Sequence, residues 1–250
     1  MTPVAGSAGS TWLYRVGGLS ALVFVAGYLV IFPLYASVGA PPVGAEAWLA
    51  YGAGKAAAWW GIIGLSVLTD ILLIPIALAL YLSLRAVHRD AVLVGVASIV
   101  LFVVLDLAVT WPNYAALVTL ANAADGPSPT SLAAATYASA VVTSPLIGIY
   151  SIVTLSVGIL MFGLVMLRDA VGFGRSAALV GVATGVLGIV SVVGPLLVDG
   201  LGAAIIVASL LTTLWALLVG YRLLRLGREP ISGKERAPGG GETRARAATS

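Results

Sequence analysis

Residues 59–84, WWGIIGLSVLTDILLIPIALALYLSL, contain a single charged side chain, Asp70, in an apolar run bounded by Lys55 and Arg85. About 20 apolar residues are enough for a helix to cross the hydrocarbon layer of a bilayer. The stretch therefore reads as a transmembrane helix carrying one buried carboxyl. The same pattern repeats outward in both directions. No charge falls between Arg15 and Glu46, Asp125 and Arg168, Arg175 and Asp199, or Asp199 and Arg222, and Asp106 alone interrupts the run from Asp90 to Asp125. Spans are expected at 16–35, 59–84, 91–111, 146–167, 176–198 and 203–224. The expected fold is all-α: a polytopic transmembrane bundle of six helices over residues 12–228.

Composition agrees. Of 250 residues, 60% are hydrophobic and 9% charged, against about a quarter charged in a soluble globule. That excludes a water-exposed surface over most of the chain, and with it a soluble enzyme, a nucleic-acid binder or a disordered scaffold. Residues 1–11 form a short polar lead that reads as disordered. Residues 229–250, with Gly239, Gly240 and Gly241 among scattered charges, lack the apolar area needed to fold and read as a disordered cytoplasmic tail.

Orientation follows from the basic residues. With the N-terminus inside, 12 of the 13 Lys and Arg residues face the cytoplasm and only Lys55 lies outside, so both termini are expected to be cytoplasmic. Glu46, Asp125 and Asp199 are the outer charges. Trp48, Tyr51, Trp59, Trp60, Trp111 and Tyr114 fall at the outer ends and Trp12, Tyr14, Tyr81 and Tyr221 at the inner ends, suggesting two interfacial aromatic belts. The first span is too long for the apolar core of a secretory signal, although Ala36–Ala40 is rich in small residues. Arg222, Arg225 and Arg228 recur every three residues past the last span and can meet anionic lipid headgroups.

Between the third and fourth spans, 113–123 retains a helical pattern, Asp125-Gly126-Pro127-Ser128-Pro129 breaks it, and Thr130 or Ser131 can cap a helix running to Pro145. A short extracytoplasmic helical hairpin extending helices 3 and 4 is expected, its alanines permitting close approach; it would serve as a lid or as a spacer. Leu93-Val94-Gly95-Val96-Ala97-Ser98 echoes Leu179-Val180-Gly181-Val182-Ala183-Thr184, as a parallel repeat of two hairpins would. Gly181 and Gly185 form a pair of small residues suited to tight helix packing.

Candidate chemistry centres on Asp70 and Asp106. At 1.5 Å per residue, Asp70 lies roughly 14 Å below the outer edge and Asp106 roughly 21 Å above the inner edge. In a layer about 30 Å thick they differ in depth by about one turn. An Asp at a helix centre costs on the order of 3 kcal/mol, so each carboxyl must face the bundle interior and find partners. Thr110, Asn113 and Tyr114 share the Asp106 face, Ser66 stands one turn from Asp70, and Thr143, Tyr150 and Thr154 form a stripe on the fourth helix. Pro75, Pro145 and Pro195 each free a backbone carbonyl. The candidate proton, cation or ligand site is thus Asp70, Asp106, Ser66, Thr110, Asn113, Tyr150 and Thr154. One reading makes the pair a protonatable or cation-binding site in a transport pathway; the other makes both acids hydrogen-bonded glue between helices.

Other chemistries lack their residues. There is no cysteine, hence no disulfide framework or thiolate metal site. The only histidine, His88, falls in the turn 85–90, leaving a metal hydrolase or a Ser-His pair without its base. Gly172-Phe173-Gly174-Arg175-Ser176-Ala177 fits a dinucleotide motif nominally but follows a helix, not a strand. Gly52-Ala53-Gly54-Lys55-Ala56 lacks the first glycine and the final Ser or Thr of a phosphate loop. The contexts Leu68-Thr69-Asp70 and Val104-Leu105-Asp106 do not match intramembrane aspartyl proteases. No span holds a Lys for a retinal Schiff base. No enzyme activity, cofactor, metal or nucleic-acid partner is expected.

Across residues 12–228 the chain resembles the six-helix integral membrane proteins of bacteria grouped under a domain of unknown function. The resemblance rests on layout and on Asp70-Ile71-Leu72-Leu73-Ile74-Pro75, Leu80-Tyr81-Leu82-Ser83-Leu84-Arg85 and Gly185-Val186-Leu187-Gly188-Ile189. It implies a plasma-membrane protein and lends no catalytic residue. Eleven Arg against two Lys, with abundant Ala, Gly and Val, fits a GC-rich prokaryotic source. The expected function is a small-solute or proton- or cation-coupled transporter in a prokaryotic cell membrane. The alternative is a non-catalytic binding or regulatory subunit that meets a protein partner through its hairpin or Arg-rich tail.

Overall fold

The computed structural model describes residues 8–123, 128–168, 172–198 and 200–228. The lead up to residue 7, the tail 229–250, Asp169, Asp199 and most of the expected hairpin break, including Asp125, lie outside the described residues. Among the described residues the chain is helical throughout, joined by short turns. α1 runs Ala8–Val38, α2 Ala45–Gly52, α3 Ala56–Leu105, α4 Trp111–Ala121, α5 Pro129–Val142, α6 Pro145–Ile147, α7 Thr154–Arg168, α8 Arg175–Val193 and α9 Ala204–Leu226. Two π-helical turns, Asp106–Thr110 and Gly148–Val153, join α3 to α4 and α6 to α7.

Five helical stretches are long and apolar enough to cross a membrane, Thr11–Val38, Ala56–Ala121, Pro145–Arg168, Arg175–Leu196 and Leu201–Leu226. The second has 66 residues and would measure roughly 100 Å if straight. It is not straight. His88 adopts an extended conformation (φ −156°, ψ 88°), and its Nδ1 accepts a hydrogen bond from the Ala91 amide at 3.3 Å, starting a second helical arm. Trp59 stacks on Tyr114 at 5.6 Å, and the Asn122 side chain bonds Gly52 and Gly54. The two arms therefore run antiparallel.

Close approaches at glycines set the remaining order. A Cβ at Gly17 would lie 2.5 Å from that of Ala79, and one at Gly27 2.9 Å from Thr69 Cγ2, which lays α1 antiparallel on the first arm of α3. Gly158 meets Ile99 and Gly95 on the second arm, Gly163 meets Val182 on α8, Gly181 meets Trp215 on α9, and Gly220 meets Ala21 on α1. The helices thus form a closed ring in which each neighbour runs the opposite way and α9 returns to α1. Gly95 and Gly181, the echoed positions, pack on two sides of α7. A Cβ at Gly185 would strike Leu160 at 2.5 Å, so Gly181 and Gly185 do serve tight packing.

The outer surface is aliphatic, and the interior, though mostly apolar, holds most of the buried hydroxyls. Leu19, Leu29, Leu93, Val104, Leu179 and Ile206 are exposed, whereas Ser66, Thr69, Ser156, Thr184 and Thr212 are buried. Lipid can solvate the outer aliphatic face, while buried hydroxyls find carbonyls of their own helix, as Ser156 does at Ile152 and Thr184 at Val180.

One end of the ring carries a cap. There α2, α4 and α5 pack on the ends of α1 and α3 around Trp48, Trp59, Leu117, Val118, Ala135 and Ala138. The expected hairpin helices are present. Ser128, not Thr130 or Ser131, caps α5: its Oγ accepts from the Ser131 amide at 3.1 Å, while Ser131 Oγ accepts from the Ser128 amide at 2.7 Å. Pro129 at the first helical position suits this cap. The outer aromatic belt needs correction. Trp48 and Trp59 are fully buried with ring centroids 5.4 Å apart, because α2, a helix absent from the sequence reading, turns its own Trp48 inward against Trp59 of α3. Trp60 and Trp12 are exposed and remain in position for interfaces.

The opposite end carries arginines. Arg15 Nε donates to the Gly227 carbonyl at 2.8 Å, and Arg222 Nε donates to the Gly172 carbonyl. Arg225 stands over the Tyr221 ring at 5.4 Å, and Arg228 is exposed.

Candidate functional site

The site lies between the aromatic cap and the apolar core. Asp70 comes from the first arm of α3, one residue past Thr69, where Gly27 of α1 packs. Asp106 opens the first π-turn at the end of the second arm. The side chains are 4% and 5% exposed, and the two carboxyls are close enough to act on each other electrostatically. The antiparallel fold-back at His88 brings them to the same depth.

Each carboxyl has a neutral donor. Trp111 Nε1 donates to Asp70 Oδ2 at 2.7 Å, and Ser151 Oγ donates to Asp106 Oδ1 at 2.5 Å. Thr110 lies beside Asp106, yet its buried hydroxyl closes no hydrogen bond. Tyr28 of α1 is within electrostatic range of both acids, as are Tyr35, Tyr114 and Tyr150 of Asp106. No Lys, Arg or His occurs within residues 56–84 or 91–121, so neutral dipoles alone oppose two like acids.

Backbone irregularity builds this geometry. Pro112 has no amide hydrogen to give, and the preceding turn closes one residue wider, with the Trp111 amide on the Asp106 carbonyl. An i→i+5 turn brings the fifth residue over the first. Trp111, which an ordinary helix would point away, thereby sits above Asp106 and reaches Asp70. The second π-turn makes the matching shift at Ser151. Asn113 Nδ2 donates to the Val109 carbonyl at 2.7 Å, back onto its own segment.

Among the residues expected here, Asp70, Asp106 and Thr110 come together. Ser66 is buried one turn toward the cap, where its carbonyl accepts from Thr69 Oγ1 at 2.8 Å. Asn113 is not joined to the acids, and Thr154 donates to the carbonyls of Tyr150 and Ser151. Tyr150 is half-buried near Asp106 without a hydrogen bond to it. Trp111 and Ser151 were missed. The usable signal was proline beside a polar residue inside a span, at Thr110-Trp111-Pro112 and after Pro145, where the helical register is most open to change. Among the described residues no cluster of His, Cys, Asp or Glu could hold a metal ion. Comparison with known proteins finds no matching family model, no similar curated protein and no similar solved structure, so the site is read from its own chemistry.

Proposed function

We propose that this chain is an integral membrane protein with six spans, the two arms of α3 each crossing once, and with both termini and the arginine-bearing end in the cytoplasm. The cap then lies outside. Within it, Asp70 and Asp106 act as one proton-binding site coupled to the movement of a small solute across a prokaryotic cell membrane. The observation that carries this reading is the close approach of two buried carboxyls with no cation near them. Two unit charges about 4 Å apart repel by about 4 kcal/mol even at an effective dielectric of about 20. A proton held between the acids removes that repulsion, and its loss makes the pair an unstable arrangement that rearranges with its helices. Neutral Trp111 and Ser151 suit a site that changes charge.

A second reading, that the acids tie helices together in a non-catalytic binding or regulatory subunit, is supported by the hydrogen bonds from Trp111 and Ser151. Currents on a solid-supported membrane separate the two. Jumps in a panel of small solutes should give transient currents that grow with an imposed proton gradient and vanish in Asp70→Asn and Asp106→Asn. Silence of the wild-type protein to every solute, with both variants equally stable, favours the glue reading. Arg222, Arg225 and Arg228 at the arginine-bearing end would meet anionic headgroups.

A further inference from the structure

The reversal of α3 turns on a single residue. Asp70 and Asp106 each lie 18 residues from His88, so a fold-back centred there brings both acids to one depth. Moving the reversal one residue along the chain would offset the arms by two residues, about 3 Å at the rise of a helix. His88 itself has the backbone and the side-chain contact of a helix N-cap. Its φ and ψ of −156° and 88° are extended, and its Nδ1 accepts from the amide of Ala91, three residues on, at 3.3 Å. The first amides of a helix have no carbonyl of their own helix to meet, so the imidazole supplies a partner that the second arm needs.

The usual caps, Ser, Thr, Asn and Asp, keep an acceptor oxygen throughout the neutral range, whereas an imidazole loses its acceptor on gaining a second proton. Donor then faces donor, and a positive charge stands at the positive end of the helix dipole. Histidine makes this change between about pH 8 and pH 5. The charged and titratable groups at this end are Arg85, Arg89 and Asp90 in the turn itself, Tyr14 and Arg15 near the start of α1, and Arg168 at the end of α7; α1 and α7 are the elements packed on the two arms here. Among the described residues the Ala91 amide is the imidazole's only hydrogen-bond partner, and His88 is exposed to solvent protons. We infer that His88 is a pH-sensitive pin of the α3 reversal: the neutral imidazole caps the second arm and keeps the two acid-bearing arms in register, and protonation releases the cap. The pin holds at neutral and alkaline pH and is lost as the pH falls. In the orientation proposed above it senses cytoplasmic acidity. Its use in transport rests on the proton-site reading, whereas the cap does not.

His88 is the only histidine in the chain, so histidine-selective nitrogen-15 labelling of the untagged full chain in phosphatidylcholine nanodiscs gives a single imidazole. At about pH 8 its proton should sit on Nε2, leaving Nδ1 bare to accept; a proton on Nδ1 overturns the cap. Between about pH 8 and pH 5 the protection of the Ala91 amide against exchange, corrected for the intrinsic rate, should fall by at least about fivefold, the ratio that one lost cap implies. Amides of α8 should keep theirs. His88→Asn, whose acceptor does not titrate, should retain the high protection at both ends of the range, and His88→Ala should show the low one. The response should persist in Asp70→Asn and Asp106→Asn, which separates the pin from the proton site. Wild-type protection that ignores pH, a fall of equal size in His88→Asn, or a response abolished in Asp70→Asn overturns the pin.

Discussion

At the scale of single residues, the acid pair separates charge chemistry from packing. Asn in place of Asp70 or Asp106 keeps an acceptor for the Trp111 or Ser151 donor but carries no titratable proton. Both variants should fold, remain within about 1 kcal/mol of the wild type, and lose the pH dependence of transport. Leu in place of either acid removes the acceptor as well and should cost about 1 kcal/mol per broken bond on membrane scales, read as a lower unfolding midpoint in detergent. The two hydroxyls beside Asp106 give a sharper contrast. Ser151 donates to Asp106, so Ser151→Ala should destabilise by roughly 0.6 to 1.7 kcal/mol. Thr110 is buried but unbonded, and the isosteric Thr110→Val should be neutral or slightly stabilising, because no bond is lost and an orphaned polar group disappears. Equal losses in both variants would show that Thr110 has a partner in solution.

At the scale of elements, the cap is a second small core attached to the bundle through Trp48 and Trp59. Truncating a buried Trp leaves a cavity worth about 3 to 5 kcal/mol, and eight-residue α2 has little other apolar area to hold it down. Trp48→Ala should therefore release α2 without unfolding the ring. The expected result is faster amide exchange over residues 45–52 with unchanged exchange in α7 and α8; uniform loss of protection would instead make the cap part of one cooperative unit. The long apolar segments were legible because lipid enforces a length and a nearly charge-free interior, so both arms of α3, α7, α8 and α9 were located to within about five residues, whereas α1 begins at Ala8, well before the expected start at residue 16, because its first two turns continue through polar Ser10, Thr11 and Arg15. The hairpin helices were legible from Pro127, Pro129 and the alanine-rich runs. α2 was not, since it is short, carries the charge of Glu46, and its Trp48 resembles a headgroup anchor until the tertiary fold buries it. Asp70 and Asp106 stood out as isolated acids, whereas Trp111 and Ser151 were hidden by the π-turns, which move them off the face that 3.6-residue periodicity assigns.

At the scale of the whole molecule, the ring places every described arginine at one end and the cap at the other. Arg15 on α1 and Gly227 beyond α9 meet there, joining the two ends of the ring. A bilayer that accepts this shape must leave the arginines on one side, and in the orientation proposed above that side is the cytoplasm. The chain contains no cysteine, so single cysteines report location without background. Tyr137 on α5 is 70% exposed, and Arg89 beside the His88 break is exposed at the opposite end. A membrane-impermeant maleimide added to intact cells should label Tyr137→Cys and spare Arg89→Cys until the membrane is opened. The pair also tests the fold-back of α3. Residues 89 and 137 lie on opposite faces only if the chain crosses between them an odd number of times, and the second arm supplies that single crossing. Labelling of Arg89→Cys but not Tyr137→Cys would invert the orientation. Labelling of both in intact cells would show that the arms of α3 do not span, and would remove the membrane setting in which a carboxyl pair without a counter-ion makes physical sense.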